Sequence, residues 1–156
     1  MAEDGFKHAA GFAYHMQGRI FIQNAPKSID VEGLRTNLDT EGCGAIVSFV
    51  GITRGMDGDE EVLRLEFDAW QEKLSETLYS LAEGAIKEFS LHSVAMAHRT
   101  GSVGPGENIV AIHVASPHRK EAFDGCSWLI DELKRQAPVW KKEVKPSGAS
   151  WKAGLG

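Results

Sequence analysis

The sequence is poor in the residues that mark metal-bound, disulfide-linked or membrane-spanning proteins. Its two cysteines, Cys43 and Cys126, form neither a CxxC pair nor a zinc-ligand pattern, and no HExxH motif is present. No apolar run approaches the roughly 20 residues that cross a bilayer, and the first residues lack the basic start and apolar core of a secretory signal. We therefore expect a cytoplasmic protein without a metal centre, in which Cys126 is an inert core thiol.

The length of the chain favours a single domain. Its 156 residues can bury one hydrophobic core, and 42% hydrophobic with 25% charged residues is typical of a globular protein. Residues 1–17 show no sustained periodicity, which predicts a mobile N-terminal segment ahead of one domain over residues 18–156.

Charge is distributed unevenly along the chain. The net charge of −5 argues against general affinity for nucleic acid. Residues 1–115 carry nine lysines and arginines against 17 acidic residues, whereas residues 116–156 carry eight against five. A basic C-terminal quarter on an acidic body indicates one local anion site, with a solvated basic tail as the alternative.

Hydrophobic periodicity predicts an α+β domain with mostly antiparallel strands. The clearest pattern is a helix over residues 71–89. A second amphipathic helix is predicted from Pro117 to about Gln136, because the residue before Pro138 is biased away from helical geometry. Its predicted apolar face consists of Ala122, Phe123, Cys126, Leu129, Ile130 and Leu133.

Shorter elements complete the prediction. Ser28 is expected to cap a short helix that carries Val31, Leu34 and Leu38. Strands are predicted at 19–23, at 45–51 as a buried strand, at 62–68 as its partner, and at 92–98 and 108–115 as a hairpin. The segment after Lys145 is expected to be a loop, with Trp151 as an anchor.

Two segments of the basic quarter could bind an anion. In SPHRK, Ser116 suits a helix N-cap and Pro117 the first helical position, so His118 and Arg119 would add donors beside free backbone N–H groups. The alternative for Arg119 is a surface salt bridge. In LKRQAPVWKKE, the helix break lets Lys134 and Lys141 converge on one ligand.

Lys134 is expected on the flank of the apolar face, where burial would lower the pKa of its ammonium group. Two solvated lysines at a helix end are the alternative for this pair. Arg54, His98 and Arg99 lie at strand ends that lead into loops, which are common places for ligand contacts, although each could instead be a structural or solvated charge.

Five segments carry a resemblance to a known family. They are GAIVSFVGITR (44–54), AMAHRTGSV (95–103), IVAIHVASPHRKEAF (109–123), LKRQAPVWKKE (133–143) and SGASW (147–151). In this order, over residues 19 to 151, the chain resembles the large, catalytic subunit of molybdopterin synthase, the MoaE-type family.

The resemblance implies an α/β-hammerhead fold and a central homodimer within a heterotetramer. Each large subunit of this family binds a small ubiquitin-like sulfur carrier. The thiocarboxylate at the carrier's Gly-Gly C-terminus donates sulfur to cyclic pyranopterin monophosphate, and two transfers give molybdopterin for molybdenum cofactor biosynthesis. The implied activity is that of a sulfurtransferase, and no cofactor is implied because the carrier supplies the sulfur.

The resemblance also assigns residues. Lys134 and Lys141 match the catalytic lysines, and Arg54, His118 and Arg119 match positions that line the substrate pocket. Our hypothesis gives Lys134 a general acid/base role, or attack on the carrier's acyl carbon, and gives Lys141 the stabilisation of negative charge.

The chain departs from the family pattern at residues 55–61, at residues 66–74 and after Trp151. Two alternative functions remain beside the one that the resemblance implies. One is a non-catalytic scaffold that binds the acidic tail of a small ubiquitin-like protein. The other is a phosphate-binding domain without a protein partner.

Overall fold

The structure, a computed structural model, describes residues 5–9, 12–25 and 27–152. Within these ranges strands and helices are intermixed, which confirms the predicted α+β class. The elements in chain order are β1 (Gly5–Ala9), β2 (Phe12–Gln17), β3 (Ile20–Ala25), α1 (Val31–Arg35), β4 (Ala45–Ile52), β5 (Met56–Asp57), β6 (Glu60–Glu61), β7 (Arg64–Ala69), α2 (Gln71–Phe89), β8 (Ser93–Arg99), β9 (Gly101–Val103), β10 (Asn108–Ser116), α3 (Arg119–Gln136), β11 (Val139–Lys145) and β12 (Gly148–Lys152).

The larger sheet has the strand order β1-β2-β3-β8-β10-β4. Its neighbours pair antiparallel except β3 and β8, which are parallel. Successive residues of β3, β8 and β10 alternate between two hydrophobic clusters, because side chains of a strand point to opposite faces. One cluster packs against α2 and α3, and the other lies beneath α1.

The smaller sheet has the order β12-β11-β7-β9 and is antiparallel throughout. Strands β5 and β6 form a short hairpin beside it. Lys145 of β11 joins the hairpin to the sheet, with its Nζ 2.7 Å from Asp57 Oδ2 and 3.4 Å from Glu60 Oε2. The hairpin is therefore tied to the same sheet that carries Lys141.

The long helices form where the periodicity predicts them. Helix α2 has the predicted bounds, and α3 ends at Gln136 with Ala137 as its C-cap. The start of α3 differs from the prediction. Ser116 is still in β10, where it pairs with Ala45, so His118 is the N-cap and Arg119 the first helical residue.

Two further details of the helices differ from the prediction. Phe123 is 61% exposed and does not belong to the apolar face of α3. Helix α1 is capped by Asp30, whose Oδ1 accepts a hydrogen bond from Gly33 N at 3.0 Å, and not by Ser28. Asp30 lies three residues before the amide it caps, which is the usual capping geometry.

The predicted strands form at about the predicted positions, but the burial of one and the pairing of another differ from the prediction. The hairpin partners β8 and β10 are confirmed. Strand β4 forms as predicted but lies at the edge of its sheet, so Ile46 and Ile52 are exposed. The strand predicted as its partner, β7, belongs to the other sheet, where it pairs with β11 and β9.

Both ends of the chain hold more regular structure than predicted. Strands β1 and β2 occupy part of the segment expected to be mobile, and the rest of that segment lies outside the described residues. The C-terminal segment expected to be a loop forms β12, and its Trp151, expected as an anchor, is exposed and lies against Lys142. In the part of the chain that the structure describes, no helix is long and apolar enough to cross a membrane.

Candidate functional site

A cavity of about 700 Å³ lies where the smaller sheet meets the C-terminal half of α3 and the edge strand β4. Its apolar wall includes Leu65 and Phe67 of β7 and Leu133 of α3. Six charged side chains line it: Arg54, Asp57, Lys134, Lys141, Glu143 and Lys152. Four cations face two carboxylates, so the cavity has an excess of positive charge.

The break at Pro138 brings Lys134 and Lys141 to this cavity. Helix α3 ends at Gln136 and β11 begins at Val139, so the two lysines come from different elements and line one space. The proline has no N–H to continue the helix, and the residue before it takes extended geometry. The structure thus places the two lysines at one cavity, which the helix break allows and the spacing alone leaves open.

Burial distinguishes the two lysines. Lys141 is partly buried, whereas Lys134 on the last turn of α3 is exposed, so the prediction that Lys134 is the desolvated lysine is wrong. Desolvation is the main cause that lowers the pKa of Lys141. The carboxylate of Glu143 opposes this shift, and the positive charges of Lys134, Lys152 and Arg54 add to it.

Glu143 is a buried carboxylate two residues after Lys141 and on the same face of β11. It is 8% exposed. Its Oε1 lies 3.4 Å from Lys145 Nζ, and its Oε2 lies 3.6 Å from Lys152 Nζ. Neither Glu143 nor Lys152 is predicted as a site residue from the sequence. A strand over 139–145 would have placed Glu143 beside Lys141, because residues i and i+2 share a face.

His98 lies in the cavity wall, as a strand-end residue was predicted to do. It is buried, its Nδ1 lies 2.6 Å from the carbonyl oxygen of Arg99, and its ring meets Phe67 edge to face at 5.6 Å between centroids. Since a carbonyl oxygen only accepts, Nδ1 carries the proton and donates it. Burial lowers the pKa of His98 to about 4, so the ring is neutral at neutral pH.

Arg99, by contrast, is buried away from the cavity. Its Nη2 donates to the carbonyl oxygen of Ser102 at 2.7 Å, and its Nη1 lies 3.4 Å from Glu107 Oε2. Glu107 also accepts a hydrogen bond from Gly104 N at 2.9 Å. These contacts order the loop after β8, so the structural alternative considered for Arg99 describes its position.

His118 and Arg119 do not reach the cavity within one chain. Both are exposed at the start of α3, and Arg119 precedes Lys134 by 15 residues. At 1.5 Å of rise per residue this separation is about 22 Å along the helix. Arg54 does line the cavity. It is the second residue after the end of β4.

The remaining candidate groups of the sequence are structural in position. Cys126 is buried on α3, and burial raises the pKa of its thiol to about 11, as expected of an inert core cysteine. Burial also raises the pKa of the Cys43 thiol. Among the residues that the structure describes, no group of three or more His, Cys, Asp or Glu side chains could hold a metal ion.

The fold and the cavity define an α+β protein with a cation-lined pocket at the junction of two sheets. The family model described as "MoaE protein" matches residues 23–136. The chain therefore belongs to the MoaE protein family, as the resemblance of its motifs predicts.

Individual relatives agree with this assignment. The molybdopterin synthase catalytic subunit of Caulobacter vibrioides is 40% identical over 111 residues, which cover 71% of this chain and 73% of the relative. A molybdopterin synthase structure from Staphylococcus aureus matches with a TM-score of 0.80 at 27% identity, covering 83% of this chain and 95% of that one.

A third likeness concerns the fold alone. A chain from a complex of subunits 1 and 2 of molybdopterin-converting factor from Helicobacter pylori matches with a TM-score of 0.69. It is 23% identical and covers 83% of this chain and 88% of that one.

Proposed function

We propose that this chain is the catalytic subunit of a molybdopterin synthase and acts as a sulfurtransferase in molybdenum cofactor biosynthesis. The observation that carries the proposal is the convergence of Lys134 and Lys141 in one cavity of a chain that belongs to the MoaE family. A partly desolvated lysine beside other cations can bind an anion, and its lowered pKa makes it easier to deprotonate than an exposed lysine.

The charge of the cavity suits the two expected substrates. Cyclic pyranopterin monophosphate carries a phosphate, and the carrier tail ends in a thiocarboxylate, so each brings a negative charge. The lining side chains offer four cations against the carboxylates of Asp57 and Glu143. A cavity of about 700 Å³ lies within the 300–1,000 Å³ range common for small-molecule sites.

The chemistry needs a group that handles the acyl carbon after sulfur has been transferred. Attack by the thiocarboxylate sulfur on a substrate carbon forms a C–S bond and breaks a C–O bond of that carbon, whose oxygen leaves with the electron pair. The carrier is then joined to the pterin through a thioester. Water or a lysine amine must then add to the acyl carbon, the C–S bond breaks, and the sulfur stays on the pterin as a thiolate. A lysine amine would form an amide in this step, which would itself need hydrolysis, so water is the simpler nucleophile.

Burial favours Lys141 as the lysine that exchanges the proton in this step. Its lowered pKa places more of the neutral amine at working pH than an exposed lysine would have. Lys134 is exposed on the last turn of α3 and lines the same cavity, so it supplies positive charge toward the developing anion. This division reverses the roles in our sequence-based hypothesis.

The proposal includes a protein partner and a second copy of the chain. The partner is a small ubiquitin-like carrier whose Gly-Gly terminus enters the cavity. A homodimer within a heterotetramer would offer a route for His118 and Arg119, because one chain alone separates them from Lys134 along α3. No cofactor is part of the proposal, since the carrier supplies sulfur.

Reconstitution tests this function. The purified chain is mixed with a thiocarboxylated Gly-Gly carrier and cyclic pyranopterin monophosphate, and molybdopterin is measured by fluorescence of its oxidised form. We expect product only with the thiocarboxylate, and not with a carrier that ends in a plain carboxylate. Sedimentation of the same mixture should show two copies of the chain with two carriers.

Two results would contradict the proposal. Carrier bound without product, where a known synthase gives product, would favour the non-catalytic scaffold. A chain that binds phosphate but retains no carrier would favour the phosphate-binding domain.

A further inference from the structure

Strand β12 places a third lysine in the cavity by pairing with β11. Lys152 is the direct cross-strand partner of Lys141. Residues directly opposite each other in an antiparallel pair project from the same face, with Cβ atoms roughly 5 Å apart. The two ammonium groups therefore share one side of the sheet, and both line the cavity.

Such a pair is unfavourable unless something binds to it. Like charges directly opposite in a sheet destabilise the pairing. The carboxylate nearest to Lys152 is Glu143, at 3.6 Å, and the same carboxylate lies 3.4 Å from Lys145. One buried carboxylate is thus shared, while Lys141, Lys134 and Arg54 add further positive charge to the same space.

The neighbouring lysine shows what a purely structural arrangement looks like. Lys142 is paired with Trp151 across the strands and points to the other face of the sheet. Its Nζ lies 2.9 Å from Glu66 Oε2 and 5.4 Å from the centre of the Trp151 ring. Lys142 has one oxygen of Glu66 and an aromatic face as partners, while the other oxygen of Glu66 lies 2.9 Å from Arg64 Nε. Lys152, by contrast, is held toward other cations of the cavity.

We propose that Lys152 is a ligand-binding residue of the cavity, which together with Lys141 holds one anionic oxygen group of a substrate. The inference rests on the proposed function and extends it to a residue of β12. The group is either the phosphate of the pterin or the thiocarboxylate of the carrier, since both present anionic atoms that two ammonium groups can bracket.

The arrangement also links ligand binding to the state of Lys141. The positive charge of Lys152 contributes to the lowered pKa of Lys141, although less than burial does. An anion bound between the two lysines would offset the repulsion that Lys152 exerts. Lys152 would then act both on affinity and on the proton held by Lys141.

Anion binding by the whole chain tests the inference without any turnover. Inorganic phosphate is titrated into wild type and into Lys152→Gln, Lys152→Arg and Lys142→Gln, with the side-chain NMR signal of Lys141 as the readout. We expect Lys152→Gln to weaken phosphate binding about tenfold, which is typical of losing a charge-assisted contact. Lys152→Arg should stay near wild type, and Lys142→Gln should change affinity less than twofold.

A second readout measures how strongly the charge of Lys152 acts on Lys141. Loss of the Lys152 charge should raise the pKa of Lys141 in Lys152→Gln and leave it unchanged in Lys142→Gln. If Lys152 only holds β12 in place, a folded Lys152→Gln variant should keep the wild-type phosphate affinity even though the pKa of Lys141 rises. Unchanged phosphate affinity in Lys152→Gln would overturn the inference.

Synthase kinetics then identify the source of the anion. In the reconstituted reaction, a raised KM for the pterin with unchanged carrier KM assigns the phosphate to Lys152, and the converse assigns the thiocarboxylate. The two proposals fail separately. A wild-type chain that binds phosphate through Lys152 but makes no product contradicts the synthase function, whereas product formation with no effect of Lys152→Gln on either KM or phosphate binding contradicts only the inference.

Discussion

Three lysines of β11 show how strongly position determines the chemistry of one residue type. Lys141 is partly desolvated, and the pKa of its ammonium is lowered. The ammonium of Lys145 is surrounded by carboxylates, and the pKa of its side chain is raised, mainly by its hydrogen bond to Asp57. Lys142 lies against Glu66 and Trp151 on the opposite face. The function we propose uses the lysines of the cavity face.

Which residues line the candidate site could be predicted from the sequence where a local rule applies. The break at Pro138 allows Lys134 and Lys141 to converge, and both line the cavity. Which of them is desolvated could not be predicted, because that depends on how β11 pairs with β7 and β12. The residue spacing within one segment does not show which distant strand that segment pairs with. The same limit hid Glu143.

The burial of His98 should make the stability of the protein sensitive to acid. Its pKa is about 4 in the folded protein because of burial and near 6.5 when unfolded, so the unfolded state binds more protons between these values. Stability should therefore fall as pH drops through 6.5 toward 4. From pH 8 to pH 5 we expect His98 to lower the free energy of unfolding by about 2 kcal/mol, measured by urea denaturation.

A matched pair of variants isolates this effect. His98→Gln, which removes the titrating group, should have a shallower pH dependence than wild type, whatever its stability at pH 8. His118→Gln alters an exposed histidine and should keep the wild-type slope. Burial also lowers the pKa of His113, so part of the slope should persist in His98→Gln. Equal slopes in wild type and His98→Gln would show that His98 is not buried as a neutral ring.

At the scale of elements, the two long helices could be predicted because each buries one continuous apolar stripe. The period of 3.6 residues is a local property of the sequence, so it predicts the bounds of α2 correctly. Strands were harder to place in sheets. The sequence of β7 alternates in the same way whether it pairs with β4 or with β11, and only the folded chain shows the pairing with β11. The family resemblance was more specific than either pattern.

Because of how α3 packs, two helical glycines should differ in how much a change to alanine alters stability. A methyl group on Gly125 of α3 would lie 2.8 Å from Leu91 Cδ1, whereas one on Gly84 of α2 would lie 3.4 Å from Trp128 Cη2. Leu91 is buried and has little room to move. Gly125→Ala should therefore destabilise the protein by about 1–3 kcal/mol in thermal or urea unfolding.

Gly84→Ala is the control for helix propensity. Alanine favours a helix over glycine by about 1 kcal/mol, and its methyl group at Gly84 makes an ordinary contact, so stability should hold or rise. A Gly125→Ala variant as stable as Gly84→Ala would contradict the close approach of α3 to the turn after α2. That approach positions the helix that carries Lys134.

For the whole molecule, the cavity depends on the meeting of both sheets with α3. Its lining comes from β4, β7 and β11 as well as the hairpin and the helix end. No single segment of the sequence contains the site, which explains why our reading of separate motifs grouped His118 and Arg119 with Lys134 although one chain keeps them apart. A second copy of the chain is the part of the proposed assembly that could reunite them.

The most direct test of the central claim is the single-turnover rate of molybdopterin formation in lysine variants. Wild type, Lys141→Ala, Lys134→Ala and the control Lys142→Ala are each loaded with saturating thiocarboxylated carrier and cyclic pyranopterin monophosphate. If the cavity lysines carry out the reaction, Lys141→Ala and Lys134→Ala should each lose about 10²-fold or more of the rate, as is typical of removing an acid/base or charge-stabilising group. Lys142→Ala should stay close to wild type. Full rates in folded Lys141→Ala and Lys134→Ala would contradict the account.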